Sequence, residues 1–372
     1  MSGTSLDSVD AVLIRFAVTG PELIGSCNTE IEPHLRIRIL GLAESSTTTL
    51  EEFGALDCEL GLLFACAAKQ VLALTGTAAR DVVAIGSHGQ TVRHRPARNA
   101  EVRGFSLQIG DPNTIAETTG ICTVADFRRR DIAAGGQGAP LVPAFHRAVF
   151  GKADANRVVA NIGGMANVTL LPKGGAETRG FDTGPGNALM DAWTQRHLGS
   201  SFDRDGRWAS SGRVNATLIS LMLEHTFFAL PPPKSTGREE FNLAWLDSLL
   251  ATLTDAIPPS DVQATLLELT ARSLSMGITT AMPECTEVYL CGGGARNIAL
   301  RGRIAQLLGE DRSLGTTEAL GIHPDWVEAC AFAWLAQQAL GGAPGNLPSV
   351  TGAAHPVVLG GIFTGRTSAS DR

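Results

Sequence analysis

The chain has 372 residues, with 30 Lys+Arg against 37 Asp+Glu and a formal net charge of -7. That balance excludes a nucleic-acid binder, which needs a basic face to neutralise phosphates. With 44% hydrophobic and 18% charged residues the composition is that of a folded chain, and the 42 glycines are its outlier.

In chain order, Val9–Phe16 reads as a strand and Leu50–Leu74 as an amphipathic helix, weakened by Gly54 and Gly61. Asp81–Ile85 reads as a buried strand entering Gly86-Ser-His-Gly-Gln90. Phe105–Ile109 follows as a strand, then a short helix near Asn113–Thr119 and a strand at Cys122–Ala125. Ala133–Ala139 reads as a loop of small residues and Val142–Phe150 as a helix.

Near residue 155 the pattern restarts. Arg157–Ile162, the turn Gly163-Gly-Met-Ala-Asn167 and Val168–Leu171 have the form of a hairpin. Gly180-Phe-Asp-Thr-Gly-Pro-Gly-Asn187 leads into a helix at Ala188–Arg196, with Asn187 expected as its N-cap. After the loop Pro231–Pro233 and Lys234-Ser-Thr-Gly-Arg-Glu239, a long helix is expected at Asp261–Ala281. Glu287–Cys291 reads as a strand entering Gly292-Gly-Gly-Ala-Arg-Asn297, with helices at Ile298–Leu308 and Trp326–Ala339. Alternating strands and helices indicate an α/β fold. Gly3–Phe16 echoes Gly163–Leu171, and Val83–Gln90 echoes Val288–Ala295. Two similar lobes of this kind would place a ligand in a central cleft.

No P-loop, dinucleotide fingerprint, GxSxG elbow or HExxH motif is present. What remains is a set of Gly/Thr/Ser/Asn turns: Gly3–Asp10, Gly163–Asn167, Gly184–Asn187 and Gly292–Asn297. One such turn is usually only a turn, but several converging offer enough backbone N–H groups to hold a triphosphate. Asp182 is the sharpest single residue. It is expected at a strand's C-terminal end above a glycine turn, where a carboxylate can take a proton from an attacking hydroxyl or water. Asp7 and Asp10 suit Mg²⁺ held directly or through water, or equally Asx turns. Arg128-Arg-Arg130 reads either as a solvated charge run or as the source of one cation facing an anion. Glu328, early in an apolar helix, is either a dipole partner or a substrate ligand. His88 is as suited to a structural turn as to a sugar hydroxyl.

The seven cysteines form no CxxC pair, so reduced buried thiols are expected and no structural metal. No leader-like N-terminus and no apolar run of about 20 residues is seen, which gives a cytoplasmic, non-membrane expectation.

Met1-Ser-Gly-Thr-Ser-Leu-Asp-Ser-Val-Asp10, Gly86-Ser-His-Gly-Gln-Thr91, Gln108-Ile-Gly110, Ala125-Asp-Phe-Arg-Arg-Arg-Asp131, Gly135–Pro143, Asn161-Ile-Gly-Gly164, Gly180–Asn187, Lys234–Glu239 and Cys291-Gly-Gly-Gly294 together resemble the anhydro-N-acetylmuramic acid kinase family. The resemblance runs from residue 1 to about residue 352. It implies two similar lobes of the actin-like ATPase (ribonuclease H-like) type, within the sugar-kinase, heat-shock-chaperone and actin superfamily. The reaction implied is conversion of 1,6-anhydro-N-acetylmuramic acid, ATP and water to N-acetylmuramic acid 6-phosphate and ADP, in peptidoglycan recycling. By the same resemblance, Asp182 is the base, and Ser5, Asp7, Arg130 and Glu328 hold the sugar. Gly3, Thr4, Ser5, Leu6, Asp7, Ser8, Val9 and Asp10 border the ATP phosphates, while Gly163, Gly164, Gly184, Gly186, Asn187, Gly292, Gly293 and Gly294 line the nucleotide side. ATP with Mg²⁺, and a homodimer, are likewise implied.

Two departures from the family pattern are expected to matter. Family members carry a short strand before the Met-Ser-Gly-Thr motif, so the first strand of lobe one is expected to be missing. Ser8 stands where the family has Gly, which in a left-handed turn would cost about 1 kcal/mol. The lobes are expected at 1–150 and 151–372, with the last residues packing back on the first lobe. Two alternatives to the kinase stay open: a sugar-independent ATPase, or an inactive sugar-binding protein of the same superfamily.

Overall fold

The structure is a computed structural model that describes residues 1–3, 6, 8–17, 20–45, 47–96 and 104–366. Its strands in chain order are β1 (Ser8–Ala17), β2 (Gly20–Glu30), β3 (Ile85–Gly86), β4 (Gln90–Arg95), β5 (Phe105–Ile109), β6 (Thr123–Ala125), β7 (Arg157–Ile162), β8 (Met165–Leu171), β9 (Arg179–Pro185), β10 (Glu287–Cys291), β11 (Ser313–Thr316) and β12 (Gly361–Phe363). The chain is mixed α/β and divides into two units, one of Met1–Val149 with the chain from Trp326 onward, the other Phe150–Asp325. The second unit thus stops short of the expected 151–372 boundary. The reason is packing. Phe332, Leu335 and Ala336 of the helix Val327–Leu340 share a core with Val124 and Phe127, and β12 pairs antiparallel with β6.

In the first unit β1 and β2 form an antiparallel hairpin, from Ser8 opposite Glu30 to Ala17 opposite Gly20. The helix Pro33–Glu44, with β2, was not anticipated from the sequence. The helix Leu50–Thr75 starts where the Thr49 side chain accepts the Glu52 N–H at 3.1 Å. That bond satisfies one of the donors a helix start leaves open. Its Leu56, Leu60 and Phe64 pack with Ile39, Ile109 and Ile115. By length and composition this helix could cross a membrane, which the sequence reading overlooked, but this face of it lies in the unit's core. Cys58 and Cys66 sit on its exposed side, so not every thiol is buried as expected; none of the seven cysteines forms a disulfide.

Asp81–Ile85 is not a buried strand. Asp81 ends a short 3-10 turn, Val83 is exposed, and only Ile85–Gly86 pairs, parallel to β6. Asp131 is fully buried beneath the loop that follows the arginine run. Its carboxylate accepts the Gly138 N–H at 2.8 Å, the Asn346 Nδ2–H at 2.6 Å and the Thr351 Oγ1–H at 2.7 Å.

The second unit is built on a five-stranded sheet of order β11-β10-β7-β8-β9. β7, β8 and β9 run antiparallel in succession, and β10 and β11 lie parallel to β7 and to each other. This is the ribonuclease H-like arrangement expected. Val158, Val159, Ala160 and Ile162 make β7 almost continuously apolar, as suits a central strand covered on both faces. The helix Pro259–Ala281 contributes Leu266, Leu269, Leu274 and Ile278 to the core beneath the sheet. Its buried Glu268 is bound by Arg272 and, through two bonds, by Arg303, and Arg303 chiefly holds its carboxyl below the usual range. A buried charge satisfied in this way fixes the helix Ile298–Leu308 against its neighbour.

Candidate active site

Asp182 lies in the middle of β9, not at a strand end as expected, because Gly184 and Pro185 extend the pairing with β8. β9 is the edge of its sheet. An edge strand presents unpaired N–H groups, and here the Asp182 N–H donates to the Lys234 carbonyl at 3.0 Å. The loop after Lys234 therefore lies along the edge, and the Thr236 N–H donates to Asp182 Oδ2 at 3.0 Å. Burial raises the Asp182 carboxyl to about 6, partly offset by the Thr236 bond. Oδ1 has no hydrogen-bond partner among the described residues. A half-satisfied, partly desolvated carboxylate of this pKa can remove a proton near neutral pH.

Three of the glycine turns meet at the C-terminal end of β7. The Asn187 N–H donates to the Gly163 carbonyl at 2.8 Å, and Gly186 and Ala188 donate to the Gly164 carbonyl at 2.9 and 3.1 Å. Asn187 is not a side-chain N-cap: its Nδ2 donates instead to the Ile162 carbonyl at 3.1 Å. Only glycine fits at 186, where a Cβ would stand 2.3 Å from the Gly163 oxygen. Gly292 has φ +77°, and a Cβ there would stand 2.3 Å from Asn161 Oδ1. Gly294 likewise packs on Ile162, so the Gly292–Gly294 turn locks onto the same strand end. Gly184 lies two residues beyond Asp182 in β9. These turns were all legible in the sequence; Arg238, inside the Lys234–Glu239 motif but not distinguished within it, has its Nη2 3.6 Å from where a Gly164 side chain would begin.

In the first unit, Thr4, Ser5 and Asp7 lie outside the described residues. Gly3, Leu6, Ser8, Val9 and Asp10 are described. Ser8 is not strained: it opens β1 in extended pairing with Glu30, and the positive φ of this segment falls on Leu6 at 55°. Asp10 Oδ1 accepts Asn28 Nδ2–H at 2.6 Å and the Ser8 hydroxyl at 3.2 Å. Burial raises its pKa.

Of the 128–130 run, Arg128 is half-buried while Arg129 and Arg130 are exposed. The Arg128 Nη1 donates to the Gly138 carbonyl at 2.9 Å and its Nε to His88 Nε2 at 3.2 Å. Burial lowers its pKa to about 10, while the nearby Glu328 charge opposes that fall. Burial raises the Glu328 carboxyl, and Arg128 counters it. Arg130 is exposed and makes no ion pair among the described residues. Three adjacent arginines gave no sequence signal for which one turns inward. His88 packs at 4.6 Å against the Phe332 ring, tilted by 43°, and is kept neutral by burial. No group of three or more His, Cys, Asp or Glu suited to a metal occurs among the described residues.

The family model described as anhydro-N-acetylmuramic acid kinase matches residues 1–365. A relative from Saccharophagus degradans named anhydro-N-acetylmuramic acid kinase is 52% identical, covering 98% of this chain and 97% of its own. A relative of the same name from Xanthomonas axonopodis pv. citri is 51% identical over 98% of this chain and 96% of its own length. Component A of (R)-2-hydroxyglutaryl-CoA dehydratase from Acidaminococcus fermentans, a solved structure, matches 84% of this chain and 93% of its own at 14% identity with a TM-score of 0.39, too slight a likeness to bear on function. The chain belongs to the anhydro-N-acetylmuramic acid kinase family.

Proposed function

We propose that the chain phosphorylates 1,6-anhydro-N-acetylmuramic acid with ATP, and that Asp182 is the base that activates water. The observation that carries the reading is the Asp182 carboxylate. One oxygen is held by Thr236, the other has no protein donor among the described residues, and burial sets its pKa to about 6. Family membership supports the substrate and the use of ATP.

Asp182 takes a proton from water as the water oxygen bonds to the anomeric carbon. The bond from that carbon to the 6-oxygen breaks. The freed 6-oxygen bonds to the γ-phosphorus, the bond to the ADP oxygen breaks, and the proton later leaves to solvent. Positioning and charge stabilisation supply most of the acceleration in phosphoryl transfer. Ser5, Asp7, Arg130 and Glu328 hold the sugar, and Arg128 stabilises the Glu328 charge. Gly3–Asp10, with Thr4, Leu6, Ser8 and Val9, border the phosphates. Gly163, Gly164, Gly184, Gly186, Asn187 and Gly292–Gly294 line the nucleotide.

Mg²⁺ would neutralise phosphate charge. Asp10 fits it through water, since its Oδ1 is taken by Asn28 and Ser8 while Oδ2 accepts no hydrogen bond among the described residues, and one carboxylate plus waters suits this ion. A cytoplasmic homodimer working in peptidoglycan recycling completes the reading.

The test is ADP release with and without the anhydro sugar. Release that needs the sugar supports a kinase; release indifferent to it supports a sugar-independent ATPase. Because a general base must be ionised, kcat is expected to fall below about pH 6, by roughly tenfold per unit. The pH–rate profile checks this, and a flat profile down to pH 4.5 contradicts it. Arg238→Ala is expected to raise KM for ATP by roughly tenfold, the loss of one charge-assisted bond to phosphate. Initial rates at varied ATP measure it, and an unchanged KM removes Arg238 from the nucleotide site.

A further inference from the structure

We infer that Glu240 is a positioning residue for Asp182, acting through Thr236. The inference rests on Asp182 being the base. Glu240 Oε2 accepts the Thr236 hydroxyl, and the backbone N–H of that same Thr236 donates to Asp182 Oδ2 at 3.0 Å. A second bond ties the segment down two residues earlier, from the Asp182 N–H to the Lys234 carbonyl at 3.0 Å. Glu240 is steadied in turn. His225 Nε2 lies 3.9 Å from its Oε1, and the His225 ring packs at 4.8 Å on Phe241 and 5.7 Å on Trp245. The Lys234 ammonium points away from the carboxylate, to the carbonyls of Phe227 and Phe228 at 3.0 and 3.3 Å.

This arrangement assigns work to each oxygen of Asp182. Oδ2 is spent on the Thr236 amide, which fixes the carboxylate's rotation and leaves Oδ1 for the water. Hydrogen bonding to the charged form also keeps the carboxylate ionised at a lower pH than burial alone would allow. No other charged group packed about β9 bonds to the Asp182 carboxylate among the described residues. Arg179 donates to the Ala281 carbonyl, Glu268 is held by Arg272 and Arg303, and Arg238 and Glu239 are exposed on the loop. The Thr236 amide is therefore the local control on Asp182, and Glu240 holds that amide in place.

The experiment compares pH–rate profiles of the full chain and three variants, with ATP and the anhydro sugar, and turnover of Asp182→Asn as a fourth. Glu240→Ala is expected to move the acid limb upward by about one unit and to lower kcat at pH 7 by roughly tenfold, as the carboxylate loses its aligned donor. KM for ATP should stay within about twofold. Glu240→Gln keeps an acceptor for the Thr236 hydroxyl and should restore the profile. Thr236→Val, which keeps the amide but loses the hydroxyl, should behave as Glu240→Ala. Thermal unfolding of each variant shows that it is folded. An acid limb unmoved in both Glu240→Ala and Thr236→Val overturns the positioning role while leaving Asp182 as base. Loss of activity in Glu240→Gln equal to that in Glu240→Ala also overturns it. Absence of the limb in the unaltered chain, with turnover surviving in Asp182→Asn, defeats the base reading itself.

Discussion

Asp182→Asn is expected to lower kcat by roughly 10²- to 10⁴-fold, the usual contribution of a general base. The substitution keeps shape, and an amide oxygen can still accept the Thr236 N–H. The edge-strand bond from residue 182 to the Lys234 carbonyl is a backbone bond and survives. What is lost is the ability to take a proton. Affinity for ATP and for the anhydro sugar should stay within about threefold, so the loss falls on kcat and not on KM. Steady-state rates with calorimetric binding of each ligand separate the two. Turnover within about tenfold of the unaltered chain would remove Asp182 from the chemistry.

The second large effect concerns stability. Asp131→Ala is expected to destabilise the first unit by at least about 3 kcal/mol, because an orphaned buried donor costs about 1–3 kcal/mol. Three donors lose this acceptor together: the Gly138 N–H, the Asn346 amide and the Thr351 hydroxyl, of which Thr351 keeps only a longer bond to the Leu347 carbonyl at 3.3 Å. The Asn346 amide would lose its hold while its own oxygen still accepts the Val357 N–H at 2.8 Å. The substitution therefore loosens the contact between the 131–138 loop and the 346–357 segment. Urea unfolding should show a lower midpoint at unchanged slope. A loss below about 1 kcal/mol would mean that water or a repacked side chain replaces the carboxylate.

Legibility from the sequence followed the range of the interactions. The strands around Gly163 and Gly292 were legible because apolar runs ended in glycine. The helices Pro259–Ala281 and Ile298–Leu308 were legible from their periodicity. The hairpin partner β2 was not, since Gly20–Glu30 mixes polar and apolar residues with no clear alternation. Asp81–Ile85 misled because an apolar run cannot tell a buried strand from an exposed turn. In the site, Asp182 and the glycine turns stood out by residue type. Arg128 did not, because what turns it inward is His88, forty residues earlier, together with a backbone carbonyl at Gly138 that no side-chain pattern marks. Asp131 looked like one end of a charge run, yet two of its three partners, Asn346 and Thr351, lie more than 200 residues away. Glu240 lies just beyond the motif that drew notice, and its link to Asp182 passes through a backbone amide that no side-chain pattern reveals.

One active centre is expected to open the anhydro bridge with water and to transfer the γ-phosphoryl group to the freed oxygen. Mass spectrometry of the sugar product, with ADP measured in the same reaction, tests it most directly. The predicted result is a sugar that has gained one water and one phosphoryl group, with one ADP formed for each. ADP without phosphorylated sugar, or a phosphorylated sugar whose anhydro bridge is intact, would contradict it.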